Sequence, residues 1–360
     1  MNNAENRLPK YDVPEGEKAP LWMWSEALLI DEALNKGKIT LDEAQKGLFE
    51  DSEIADMMRR LVDVNFFVEY ANDYVAPEKR GETLMELFKK DNLADFLADN
   101  NFGVTMAMTR LDENTASVVR YLNDKKVTTT AWIVIEDSEG YWTNKTSIDR
   151  TIKKTEAVRK WSKENDLKFK GIGFDLEKPL TYVSAWAQRN LSKIITEEIK
   201  YRKNIITGEE ASKELGQYLN QLHSDKVETE IYTNPRGFKN LLGGIDVRNV
   251  DRYYEMTYAS GLPKFLRKQG VSILKSNNAL AALGIFCKEG TYPGRDLMNG
   301  NLANEQHLTE DELKANIQTV LKYNFEKKEL SARNISIFAL NDDAYTAKTT
   351  DRILRELVKP

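Results

Sequence analysis

The chain contains one cysteine and two histidines in 360 residues. A lone Cys287 closes no disulfide within the chain and carries no signal about redox compartment. With only His223 and His307, there is almost no room for a histidine-rich zinc site or a paired-histidine acid/base scheme. Long apolar runs are missing as well, none approaching the roughly 18 residues of a membrane span. The net charge is -5, without long like-charge runs, which argues against nucleic acid or an anionic membrane as a main partner. No glycine-rich phosphate turn follows an early strand pattern, so a dinucleotide-binding fold gains no support. Residues 1–18 lack the apolar core of a signal peptide, and the literal expectation is a cytoplasmic protein. A polar start followed by Pro9, Pro14 and Pro20 would equally suit a tether after a removed leader, which would make the protein secreted or surface-tethered.

What the chain does have, from residue 64 onward, is a regular alternation of β-branched and aromatic runs with amphipathic helical stretches, the α/β signature. Strands are expected at 64–70, 102–108, 128–137, 171–177, 228–233, 250–258, 282–288 and 334–340. Helical patterns lie between them at 83–97, 116–123 and 147–165, in a two-helix excursion over 181–222, after Thr309, and at 345–358. Thr309-Glu310-Asp311-Glu312 has the spacing of a capping box. Eight such units predict a (β/α)8 TIM barrel over 63–360 with an α-helical insertion after strand four. Residues 1–62 do not fit the repeat and read as a partly helical extension packed on the barrel.

The most informative stretch is Gly171-Ile172-Gly173-Phe174-Asp175-Leu176-Glu177, an apolar strand ending in two carboxylates two residues apart. Side chains alternate across a strand, so Asp175 and Glu177 share a face. The outer face of a barrel strand packs dry under helices, where an unpaired carboxylate is costly. Both acids are therefore expected at the C-terminal mouth, where barrel enzymes keep their chemistry. The competing reading is a salt-bridged rim, with Lys178 or Arg110 as the cation.

Placed as strand four, this stretch resembles chitinase-like glycoside hydrolases of family 18, whose fourth strand ends Asp-Gly-x-Asp-x-Asp-x-Glu and whose sixth ends Met-x-Tyr-Asp. The matching residues are Lys170 to Glu177 and Met256-Thr257-Tyr258-Ala259. The last Asp and Glu, the Gly, the Met and the Tyr are kept, while Lys170, Gly173 and Ala259 stand where the family has acids. The resemblance implies that Glu177 protonates the leaving oxygen, while Asp175 and Tyr258 steady a substrate acetamido group that acts as nucleophile. Without the inner acid at Gly173, the substrate-assisted scheme loses a part.

A scheme with two protein carboxylates needs a second acid from another strand. Glu136, Asp137, Glu255, Glu289 and Asp342 are strand-end candidates, with Glu136 and Glu289 ranked first and Glu255 out of phase with Tyr258. Trp132, Tyr141, Trp142, Tyr232 and Tyr254 supply rings for stacking on sugars, and Arg110, Asn234 and Asn341 supply hydroxyl partners. Trp132 also suits a plain core position. The segment Asp137 to Asn144 reads as a subsite wall, and His223 and His307 as plain surface residues. The expected partner is a carbohydrate, with no cofactor and no resident metal; oligomeric state is unknown from the sequence. Two alternatives stay open: a Mg²⁺- or Ca²⁺-dependent hydrolase or lyase using Asp175, Glu177, Glu136 and Asp342, and a carbohydrate-binding barrel that has lost catalysis.

Overall fold

The computed structural model describes residues 63–69, 79–179, 181, 185, 190–203, 207–233, 245–247, 249–256, 280–286, 308–326, 335–338, 340 and 344–357. The expected extension over 1–62 and the expected site residues Tyr258, Asn234, Glu289 and Asn341 lie outside them, as do Asp342 and His307.

Eight parallel strands close into a barrel in sequence order: β1 (Val64–Val68), β2 (Phe102–Ala107), β3 (Thr129–Ile133), β4 (Gly171–Leu176), β5 (Glu228–Thr233), β6 (Arg252–Met256), β7 (Leu280–Ile285) and β8 (Ile335–Phe338). Closure is by β8 on β1, with Val64 opposite Ile335 and Phe67 opposite Phe338. The chain is thus an α/β protein with a TIM-barrel core, and the Asp-x-Glu strand is the fourth of eight. Among the described residues no helix is long and apolar enough to cross a membrane.

The helices are α1 (Arg80–Lys89), α2 (Leu93–Asp99), α3 (Glu113–Asp124), α4 (Ile148–Glu164), α5 (Leu191–Lys203), α6 (Gly208–Ser224), α7 (Glu310–Glu326) and α8 (Tyr345–Leu357). Their starts follow local chemistry. Asp112 caps α3 by accepting from the Thr115 amide at 2.9 Å, and Thr207 with Glu210 forms a capping box at α6. The expected box at Thr309 forms too, with the Thr309 amide 2.9 Å from Glu312 Oε2 and the Glu312 amide 3.2 Å from Thr309 Oγ1. The single helix expected over 83–97 is instead two, because Asp91 and Asn92 adopt left-handed φ values of 53° and 54°. Short polar side chains tolerate that conformation and break the helix at little cost.

Period-two alternation sorts the strand residues into two layers. Phe66, Val68, Val104, Met106, Ile133, Ile172, Phe174, Leu176, Ile231 and Ile337 join helix residues such as Leu87, Val119, Val158, Leu219 and Ile353 in one buried cluster outside the sheet. Phe67, Ala107, Trp132, Tyr232 and Tyr254 form a separate cluster inside the barrel. Glu255, fully buried, pairs with Thr233 and Ala281 and alternates with Tyr254, so it belongs to the outer side and not to the mouth. At the opposite end of the barrel His223 Nε2 lies 2.8 Å from Thr229 Oγ1 and 3.0 Å from Asp251 Oδ2, a tie between α6 and the start of β5 rather than the plain surface position expected.

β5 approaches β4 closely at Gly171. A Cβ on Gly171 would lie 2.8 Å from the Glu228 carbonyl oxygen and 3.1 Å from Glu228 Cβ, so only glycine fits without moving backbone. Gly171→Ala is expected to destabilise the fold by roughly 1–3 kcal/mol through overpacking. Chemical denaturation checks this, and an unchanged midpoint would contradict the close approach.

Candidate active site

The alternation of β4 puts Gly171, Gly173 and Asp175 on the inner face, two residues without side chains and then an acid, with Glu177 following one residue past the strand end. The space above the glycines is filled from neighbouring strands. A Cβ on Gly173 would stand 2.7 Å from Tyr232 Cε2 and 3.3 Å from its hydroxyl. The position where the resemblance expects an inner acid is therefore occupied by the Tyr232 ring. Tyr232 stacks on Tyr254, with centroids 5.1 Å apart and planes at 24°, and meets Phe67 edge-on at 4.7 Å. Trp132 and Phe338 complete the plug, each in contact with Phe67.

Beneath this floor the Tyr232 hydroxyl donates to Glu230, and Glu230 Oε1 lies 3.1 Å from Arg252 Nη1. Burial raises both the Tyr232 and Glu230 pKa values, so the phenol stays protonated and keeps donating. Tyr232, expected to line the substrate site, is instead a fully buried filler below it.

Above the floor lie Asp175, Glu177 and Glu69. Asp175 is buried, and its Oδ1 has no hydrogen-bond partner among the described residues. Burial, then the charges of Glu177 and Glu69, push its pKa well up. Glu177 is half-buried, and burial followed by the Glu69 charge raises it to about 7. The cations of the competing rim reading are engaged elsewhere: Lys178 Nζ binds Glu198 on α5 at 2.7 Å, and Arg110 Nε binds Asp112 at 3.0 Å. Arg110, expected to bind substrate, is thus an exposed partner of the α3 cap.

Glu69 escaped the sequence reading, although it stands two residues beyond inward-facing Phe67 and so in phase with the barrel interior. Its partner was anticipated. Tyr141, buried in the loop after β3, donates its hydroxyl to Glu69. That loop is bent by Gly140 at φ 115° and Tyr141 at φ 65°, the latter a conformation that costs a non-glycine residue about 1–2 kcal/mol. It is fastened to β4 by the Thr143 amide, which donates to the Asp175 carbonyl at 2.9 Å. Trp142 is half-buried with its ring 5.4 Å from that of Tyr141. The expected subsite wall over Asp137 to Asn144 is thus a loop pinned beside the acids. Glu136 is exposed and stands apart from them, because the chain turns outward there, its carbonyl accepting from the Glu139 and Tyr141 amides.

No protein-family model matches the chain, and no curated protein matches it. Similar solved structures include TIM-barrel glycoside hydrolases. The spore cortex-lytic enzyme SleL of Bacillus megaterium is 13% identical, covering 83% of this chain and 74% of its own, with a TM-score of 0.42. A broad-specificity GH5-4 endoglucanase from Clostridium cellulovorans is 10% identical over 85% and 95%, with a TM-score of 0.46. A xylose isomerase domain-containing protein from Salmonella typhimurium is 13% identical over 83% and 95%, with a TM-score of 0.39.

The raised Glu177 pKa has a measurable linkage. The folded state holds a proton that the unfolded chain releases near 4.5, so this contribution is fully present below about 4.5 and lost as pH rises through about 7. Glu177→Gln removes the penalty. The variant should gain up to about 3 kcal/mol over wild type at pH 8 and nothing at pH 4. Denaturant midpoints at the two pH values check this, and equal shifts at both would refute it.

Proposed function

We propose that the barrel is a glycoside hydrolase acting on an oligo- or polysaccharide, with Glu177 as general acid/base and Asp175 and Tyr258 assisting. The observation that carries the reading is a half-buried carboxyl at the barrel mouth raised to about 7, beside a second buried acid, with Lys178 bound to Glu198 and Arg110 to Asp112. A carboxyl of that pKa is protonated often enough near neutrality to give its proton to a departing glycosidic oxygen. The aromatic floor blocks water from beneath, and Trp142 beside the acids offers a flat face for a sugar ring.

The resemblance to family 18 agrees with the positions of Asp175 and Glu177 at the end of β4 and of Met256 at the end of β6. It is weakened at Gly173, where Tyr232 fills the room an acid would need. The metal-dependent alternative counts on Glu136, which is exposed where the chain turns after β3. A binding barrel without catalysis would leave the raised pKa of Glu177 without a use.

On a natural polysaccharide found by screening, Glu177→Gln should lower the rate about 10²- to 10⁴-fold while unfolding stays cooperative. Wild-type activity should fall as pH rises through about 7, because the acid must be protonated. Full activity in the glutamine variant would sink the assignment.

A further inference from the structure

We propose that Glu69, at the end of β1, is the second catalytic carboxylate, a general base that takes a proton from the water attacking the sugar. The inference rests on the glycoside-hydrolase reading and deepens it. Asp175 and Glu177 leave the same strand two residues apart, so they approach a bound sugar from one side. A base must come from elsewhere. β1 is separated from β4 by two strands on one side and by four on the other, which places Glu69 across the mouth from Glu177. The proposal sets the sugar and the attacking water between the two. The two carboxyls are still near enough for the Glu69 charge to be felt at both Glu177 and Asp175.

The loop after β3 holds Glu69 in place, since the Tyr141 hydroxyl donates to it. Tyr141 stands in a left-handed backbone conformation where it meets Glu69, and strain of this kind persists where the surroundings over-determine a residue. The alternative source of a nucleophile, a substrate acetamido group steadied by paired acids, lacks its inner acid because Tyr232 covers Gly173.

The reaction balances as a single displacement. The Glu177 proton passes to the glycosidic oxygen as its bond to the anomeric carbon breaks. Water oxygen bonds to that carbon from the opposite face, and the water proton goes to Glu69. The sugar is released with inverted configuration, and exchange of one proton each with solvent resets the two carboxyls.

The test uses the full chain with the polysaccharide found by screening and with α- and β-anomers of 2,4-dinitrophenyl glucoside, mannoside, xyloside and N-acetylglucosaminide. Glu69→Gln should lose about 10²- to 10⁴-fold on both kinds of substrate. Glu177→Gln should lose activity on polysaccharide but keep it on the aryl glycoside, because dinitrophenolate leaves without a proton. Azide should restore turnover to Glu69→Ala and appear in a glycosyl azide. Tyr141→Phe should retain turnover at a lower kcat with KM little changed, since the base loses the bond that holds it in place. The first product seen by NMR should be inverted. An active Glu69→Gln beside an inactive Glu177→Gln overturns the role of Glu69 and leaves the hydrolase reading standing. A retained configuration, or inhibition by N-acetylglucosamine thiazoline, also overturns it. Hydrolysis of none of these probes by the wild type, or full polysaccharide activity in Glu177→Gln, defeats the hydrolase reading itself.

Discussion

The contact of the Tyr232 ring with Gly173 is the constraint on which the site depends. A side chain at 173 would push the ring off β4, and a smaller residue at 232 would open the barrel interior below the acids. With both in place, Tyr232, Tyr254, Phe67, Trp132 and Phe338 pack edge-to-face or stacked across the lumen. Burying such a ring contributes roughly 2 kcal/mol, and together they form a dry base on which two carboxyls can be held. Asp175 is the last inward residue of β4 and Glu177 follows one residue past its end, so both receive the desolvation of the floor from below. Desolvation of this kind raises a carboxyl pKa.

The loop after β3 adds a second constraint. It is joined to β4 through Thr143 and the Asp175 carbonyl and folded on itself by Asn144, whose Oδ1 accepts from the Thr146 amide at 3.0 Å and whose Nδ2 donates to the Trp142 carbonyl at 2.9 Å. These bonds hold Tyr141 in a backbone conformation it would not adopt alone. The return is a buried phenol delivered to Glu69. A loop held this way positions its side chains almost as firmly as a strand does, which is what a site built partly on a loop requires.

The fold was legible in the sequence because barrel strands announce themselves by short β-branched runs at regular spacing; β5 matches its expected span, and β4 ends one residue early. Asp175 and Glu177 were legible for the same reason, since phase along one strand is a local property. The failures are non-local. That Tyr232 points below the site and not into it depends on the register between β4 and β5, where Asp175 lies opposite Tyr232 and Gly173 opposite Glu230. Glu69 was visible by phase with Phe67, yet its value appears only when barrel closure sets β1 across from β4. Arg110 and Glu136 were expected at the mouth because they follow strands β2 and β3, but a helix cap claims the first and a backbone turn carries the second outward.

The barrel holds buried carboxyls at both levels, and the contrast between them is what separates structure from chemistry. Glu230, below the aromatic floor, is met by Arg252 and by the Tyr232 hydroxyl, so its burial is compensated and it anchors the plug. Asp175, on the neighbouring strand and above the floor, has an oxygen without a hydrogen-bond partner among the described residues, while Lys178, three residues on, binds Glu198. A chain under selection for stability alone would turn that lysine inward or replace the acid, because an uncompensated buried carboxyl costs several kcal/mol or forces protonation. An acid met by a cation beneath the rings, and above them an acid whose pKa is pushed up by burial and by neighbouring carboxyls, is the arrangement expected where protons must move.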